Sequence, residues 1–261
     1  MNTPSRPRAT KIICTIGPAT DTSDMLGQLI EAGANVFRLN MSHSKHDWVR
    51  EVVFRIRRKA AELEANVAIL FDLQGPSIRT GDLAEPYHLK KGDTVEIRLG
   101  TAKPELPFST TVNYDGLLQD VQAGHTMVVD NGGILMRIAE VRPDRLICDV
   151  LTEGVFGSRR HINLPGVALR LPALTEKDLA DLAVAVECET DYVAMSFVRD
   201  AAHIAQLREH IDNLGGKAQI VAKIEDQQAV RHIDDIILAA DVIMVARGDL
   251  GIEVSIEELP I

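Results

Sequence analysis

Basic residues are in short supply: 28 Lys and Arg stand against 38 Asp and Glu, a formal net charge of −10. That balance excludes a broad positive field for nucleic acid or an anionic membrane, so small anions must be gripped by local groups. Cysteine is scarce too. Cys14, Cys148 and Cys188 are odd in number, far apart and set in apolar runs, which suits buried thiols in a reducing compartment and offers no zinc spacing. No apolar run reaches the roughly 18 residues of a membrane span. The leading segment Met1-Asn-Thr-Pro-Ser-Arg-Pro-Arg8 lacks the apolar stretch of a secretory leader. The expectation is a soluble, cytoplasmic chain with neither nucleic-acid nor membrane partners. What is abundant is apolar mass: 46% of 261 residues are hydrophobic, enough for one large domain and a smaller one.

The first third alternates short apolar runs with helical periodicity, the βα rhythm of a parallel sheet. Strands are expected at Lys11–Ile16, Asn35–Asn40 and Val67–Asp72, with helices capped by Ser23 and Ser44 between them. The first helix stops at Gly33, and the second buries Val49, Val52, Val53, Ile56 and Leu63. From residue 82 the texture becomes short alternating strands, with a hairpin turn at Asp130-Asn-Gly-Gly133. We therefore divide the chain into a first barrel part (1–81), an inserted all-β domain (82–166) and a second barrel part (167–261). The rhythm resumes with a capping box at Thr175-Glu-Lys-Asp178, a strand from Tyr192 to Phe197, a helix from Asp200 to Leu214, and strands at Gln219–Glu225 and Val242–Ala246. Ser255-Ile-Glu-Glu258 reads as a further capping box.

Two clusters of polar residues fall where strands stop. Residues two apart on a strand share a face, so Lys223 and Glu225 project side by side, and Asp249 follows the end of the next strand. Two carboxylates on neighbouring strands form a hard oxygen site suited to Mg²⁺, and the lysine offsets further anionic charge. The alternative is a surface salt bridge between strand-end charges. In the second cluster Arg38, Asn40 and Ser42 share one face, His43 lies beside them, and Asp72-Leu-Gln-Gly-Pro-Ser-Ile-Arg-Thr-Gly81 follows the third strand. Asn, Ser and Asp oxygens suit a monovalent cation, and Arg38 and Arg79 suit phosphate. The alternative there is an Arg38–Asp72 ion pair that only ties two strands together.

Motifs in this order across nearly the whole chain resemble pyruvate kinase: Thr10-Lys-Ile-Ile-Cys-Thr-Ile-Gly-Pro-Ala19, Arg38-Leu-Asn-Met-Ser-His43, Gly75-Pro-Ser-Ile-Arg-Thr-Gly81, Asn163-Leu-Pro-Gly166, Lys223-Ile-Glu225 and Met244-Val-Ala-Arg-Gly-Asp-Leu-Gly251. The resemblance implies an (α/β)₈ TIM-type barrel with a mobile β-lid after strand three, moving phosphate from phosphoenolpyruvate to ADP to give pyruvate and ATP in glycolysis. It implies Mg²⁺, or Mn²⁺, on Glu225 and Asp249, with Lys223 stabilising the transferring phosphoryl group, Arg38 on the substrate phosphate and the Gly248 amide seating the substrate beside Asp249. It further implies K⁺ on Asn40, Ser42, Asp72 and the Leu73 carbonyl, with Asn40, His43, Arg79 and Arg160 toward the nucleotide.

Departures from the family pattern bear on these roles. The common Asp-Thr-Lys-Gly-Pro-Glu run is Asp72-Leu-Gln-Gly-Pro-Ser77 here, and Ser77 falls where potassium-dependent members carry Glu and independent ones Lys, which leaves the K⁺ requirement open. Arg160 stands for a lid lysine. The resemblance also implies that strands seven and eight and a C-terminal domain are absent after strand six, along with a substrate-side threonine of strand seven. The expectation is therefore a poorly stable or self-associating chain with unpaired strand edges, forming a homo-oligomer or associating with a missing C-terminal half. Rival readings are a truncated or split non-catalytic fragment and an Mg²⁺-dependent enolate lyase or aldolase barrel. Scattered histidines such as His46, His88, His125, His161 and His232 show no ligand spacing.

Overall fold

Apolar β-branched runs too short for helices become strands that pair in parallel, and amphipathic segments between them become helices covering one face. A computed structural model describes residues 9–254 and residue 257; the capping box at Ser255 lies outside the described residues. The strands are β1 Ile13–Ile16, β2 Val36–Asn40, β3 Ala68–Asp72, β4 Ile78–Arg79, β5 Tyr87–Leu89, β6 Thr94–Arg98, β7 Phe108–Thr111, β8 Thr126–Val129, β9 Ile134–Val141, β10 Arg145–Val150, β11 Gly154–Phe156, β12 His161–Asn163, β13 Tyr192–Met195, β14 Gln219–Ile224 and β15 Val242–Val245. The helices are α1 Ser23–Glu31, α2 His46–Glu62, α3 Leu117–Asp120, α4 Glu176–Glu187, α5 Ala201–Asn213, α6 Gln227–Arg231, α7 Ile233–Ala239 and α8 Arg247–Glu253.

A six-stranded parallel sheet runs β1-β2-β3-β13-β14-β15. Its helix-facing side holds a core that includes Phe37, Leu39, Ile69, Phe71, Val193 and Ile220. Val49, Val52 and Ile56 of α2 seal one part of that core, and Ile204, Leu207 and Ile211 of α5 seal another. The opposite side carries a small cluster of Leu70, Ala194 and Val221. Between β3 and β13 the chain builds a second body. It consists of a seven-stranded sheet, β4-β12-β8-β9-β10-β6-β7, and a β11-β5 pair, closed over their own core from Ile78 to Leu164 with Val167, Leu169 and Leu171 packed on it. The β8–β9 hairpin turns at Asp130–Gly133, where Asp130, Asn131 and Gly132 all take positive φ, a conformation that Asp, Asn and Gly tolerate best.

Local capping differs from the expectation at two helices. Thr22, rather than Ser23, caps α1 by accepting the Met25 amide. Ser44 does not cap α2: its hydroxyl donates to the Asn40 carbonyl, and the cap position passes to Lys45, which makes no side-chain cap bond. The C-terminal end of α1 is as expected, with Gly33 just past it at φ 97°. Leu63, expected in the core, is 36% exposed. The Thr175–Asp178 capping box forms in full.

Candidate functional site

Parallel strands all end at the same side, so the polar residues at or just past the ends of β2, β3, β13, β14 and β15 meet there. They line a cavity of about 360 Å³ with Arg38, Asn40, Ser42, His43, Asp72, Leu73, Ser77 and Arg79 around one part. Lys223, Glu225 and Asp249 complete the sheet side, and Asp130, Arg159, Arg160 and His161 come from the inserted β-domain.

Lys223 is the hub. Its ammonium lies 2.8 Å from Glu225 Oε1 and 3.3 Å from Asp72 Oδ1, and donates to Ser196 Oγ at 2.7 Å. Burial alone would lower the lysine's pKa, but the Glu225 and Asp72 carboxylates outweigh it and hold the pKa above its ordinary value. Glu225, 1% exposed, is pushed up by burial despite Lys223 and the Phe197 amide, which donates to Oε2 at 2.7 Å. The strand-end charges are thus a buried cluster and not a surface salt bridge. Arg38 does pair with Asp72, Nε donating to Oδ2 at 2.6 Å, and Nη1 reaches Thr15 Oγ1 at 3.0 Å. Its guanidinium nonetheless borders the cavity, so strand tying and anion binding are compatible.

The expected nucleotide-side residues also gather here. Arg79 donates to Ser77 Oγ at 3.3 Å and to the Arg159 carbonyl at 3.1 Å. Arg160 pairs with Asp130 at 3.3 Å, and its buried Nε has no partner. Its guanidinium sits where a Cβ on Gly157 would come within 2.7 Å, so glycine makes room for it. Asp249 lies in the first turn of α8 and borders the cavity. Gly248 is exposed beside it, with open space where a side chain would begin, and does not line the cavity.

The donor chemistry fits hard cations. Among the described residues no cluster of three or more His, Cys, Asp or Glu side chains could hold a metal by itself. Mg²⁺ does not require one, because it commonly takes one or two carboxylates and completes its shell with water and substrate oxygens. Asp72 Oδ1 is buried and makes no hydrogen bond of ordinary geometry; it faces the Lys223 ammonium at 3.3 Å, which leaves it a further lone pair to offer a cation. Asn40 Oδ1 accepts the Ser42 amide, and the Leu73 carbonyl accepts from Ser196 Oγ; each oxygen retains a second lone pair.

Sequence reasoning missed Ser196, Phe197, Asp130, Arg159 and His161. Ser196 and Phe197 follow β13, and the rule that sites gather at the C-terminal ends of parallel strands could have flagged them. The others depend on where the β-domain folds back, which spacing does not reveal. Burial, aided by the Arg79 charge and opposed by Asp249, lowers the His161 pKa and keeps the imidazole neutral at pH 7.

A parallel α/β sheet whose strand ends hold a buried lysine between carboxylates, ringed by arginines and faced by an inserted β-domain, places the chain among α/β proteins with a charged cavity at the C-terminal ends of the strands. A match to the family described as "Pyruvate kinase, barrel domain" covers residues 7–261, and the chain belongs to the pyruvate kinase family. It is 40% identical to plastidial pyruvate kinase 2 of Arabidopsis thaliana, over 99% of this chain and 45% of that protein. It is 38% identical to pyruvate kinase isozyme G, chloroplastic, of Nicotiana tabacum, over 98% and 45% respectively. Pyruvate kinase of Mycobacterium tuberculosis is 38% identical over 97% of this chain and 54% of its own length. The chain thus spans about half the length of the curated relatives it matches.

Proposed function

We propose that the chain carries the phosphoryl-transfer site of a pyruvate kinase, moving phosphate from phosphoenolpyruvate to ADP. The observation that best supports this is Lys223 held charged between Glu225 and Asp72 at the cavity floor. Phosphoryl transfer asks little covalent chemistry of a protein; it asks for in-line positioning and cations around the equatorial oxygens. Lys223 and Arg38 supply fixed positive charge to those oxygens. Arg79, Arg160 and His43 line the part of the cavity suited to nucleotide phosphates. Glu225 and Asp249 would hold Mg²⁺, and Asn40, Ser42, Asp72 and Leu73 would hold K⁺; these ions would screen the phosphate charge and polarise the transferring group. Gly248, next to Asp249 but outside the cavity lining, would help seat the substrate through its amide from the cavity's edge.

In this reading the six-stranded sheet is part of a TIM-type barrel, and residues 82–166 form a lid that excludes water, which would otherwise hydrolyse the donor. The same reading makes the protein cytoplasmic and oligomeric. No described helix is long and apolar enough to cross a membrane. The test is ADP-dependent pyruvate formation from phosphoenolpyruvate by the purified chain with Mg²⁺, with and without K⁺. Activity abolished by Lys223→Ala supports the reading, and its K⁺ dependence decides what Ser77 permits. Absence of both turnover and Mg²⁺-dependent binding of phosphoenolpyruvate would refute it.

A further inference from the structure

Phe197 has three unusual features. It is a non-glycine residue at φ 55°, a strained left-handed conformation for a bulky side chain. Its amide donates to Glu225 Oε2 at 2.7 Å, fixing one oxygen of the buried carboxylate. Its ring is touched from two bodies: by Gly75, where a Cβ would approach the ring within 3.0 Å, and by His161 of β12, 5.8 Å between ring centroids at 56°. Strain of this kind persists only where the surroundings over-determine it. Gly75 supplies one of these contacts from the loop after β3, and His161 the other from the inserted β-domain.

We propose that His161 is a positioning residue for the cation site: by packing on Phe197 it holds the strained turn whose amide orients Glu225. The inference rests on the reading of Glu225 and Asp249 as cation ligands and deepens it. It makes the placement of the β-domain and the occupancy of the cation site interdependent, because a coupling between two events acts equally in both directions. The His161–Phe197 pair borders both this cavity and a neighbouring one of about 290 Å³, so the pair forms a shared wall between them.

The experiment is Mn²⁺ binding to the full chain, followed by electron paramagnetic resonance, with thermal melts of each metal-free protein. The set is the unaltered chain, His161→Ala, His161→Phe and Glu225→Gln. His161→Ala is expected to weaken Mn²⁺ about tenfold, the usual scale when a group supporting a metal ligand is lost. His161→Phe keeps the ring contact and is expected to bind within about threefold of the unaltered chain, on the same scale. Should His161→Ala fail to fold, His161→Leu takes its place. Unchanged binding in His161→Ala with weakened binding in Glu225→Gln overturns the proposal and leaves the cation-site reading standing. Equal weakening by Phe and Ala at position 161 also overturns it. Absence of Mn²⁺ binding in the unaltered chain, or no effect of Glu225→Gln, removes the reading and the proposal together.

Discussion

Glu253 shows how one buried carboxyl sets a pH response. It sits in the wall between the sheet and the inserted domain, with Asn163 Nδ2 3.4 Å from Oε1. Burial and then the Asp226 charge push its pKa up to about 7, from an ordinary value of 4.5. The folded state therefore holds the proton more tightly than the unfolded chain. Its contribution is fully present below about pH 4.5 and is lost as pH rises through about 7. Glu253→Gln removes the loss, so the variant is expected to gain on the order of 3 kcal/mol relative to the unaltered chain at pH 8 and nothing at pH 4. Urea unfolding at the two pH values checks this; a gain independent of pH would mean the carboxyl is not the titrating group. Nothing about Glu253 in the sequence distinguishes it from an exposed helix-end acid, because groups far away in the chain, such as Asp226 and Asn163 some 90 residues earlier, meet it only in the fold. Lys223 and Glu225 were legible because the period of a strand puts them on one face whatever the tertiary fold.

At the scale of elements, the loop that follows β3 is held by the helix that begins more than 100 residues later. Asp178, fully buried, completes the capping box of α4 by accepting from Thr175 N and Oγ1 through Oδ2, and its Oδ1 accepts the Gly75 amide at 3.0 Å. One carboxylate thus caps a helix and pins the loop bearing Leu73, Ser77 and Arg79. The capping box was legible as Thr-x-x-Asp, but the second task was not, since it depends on which loop lies against the cap. Asp178→Ala loses a cap worth about 1 kcal/mol and strands a buried amide worth about 1–3 kcal/mol more. A total loss of roughly 2–4 kcal/mol is expected. Thr175→Ala, which leaves the Gly75 bond intact, is expected to cost only about 1 kcal/mol. Equal losses in the two variants, measured by chemical denaturation, would show that the Gly75 bond contributes nothing. The displaced cap of α2 has a similar origin: Ser44 satisfies the strand-end carbonyl of Asn40 instead of its own helix.

Taken as a whole, the molecule is asymmetric in how its sheets finish. Six parallel strands were legible from the βα rhythm, and their order follows the chain because each crossover returns to the neighbouring edge. Among the described residues β1 pairs only with β2, and β15 only with β14. Ile13 on one edge is 51% exposed and Val245 on the other 53%, while Leu238 of the adjoining α7 is 85% exposed. Unpaired backbone groups next to exposed apolar side chains are templates for strand addition. The sedimentation coefficient of the purified chain is therefore expected to rise with concentration. Charge at the edges opposes such pairing, so Ile13→Lys combined with Val245→Lys should lower the association while leaving the melting of the β-domain, whose core is separate, unchanged. A chain that sediments as a monomer across the whole concentration range would show that neither edge is available in solution.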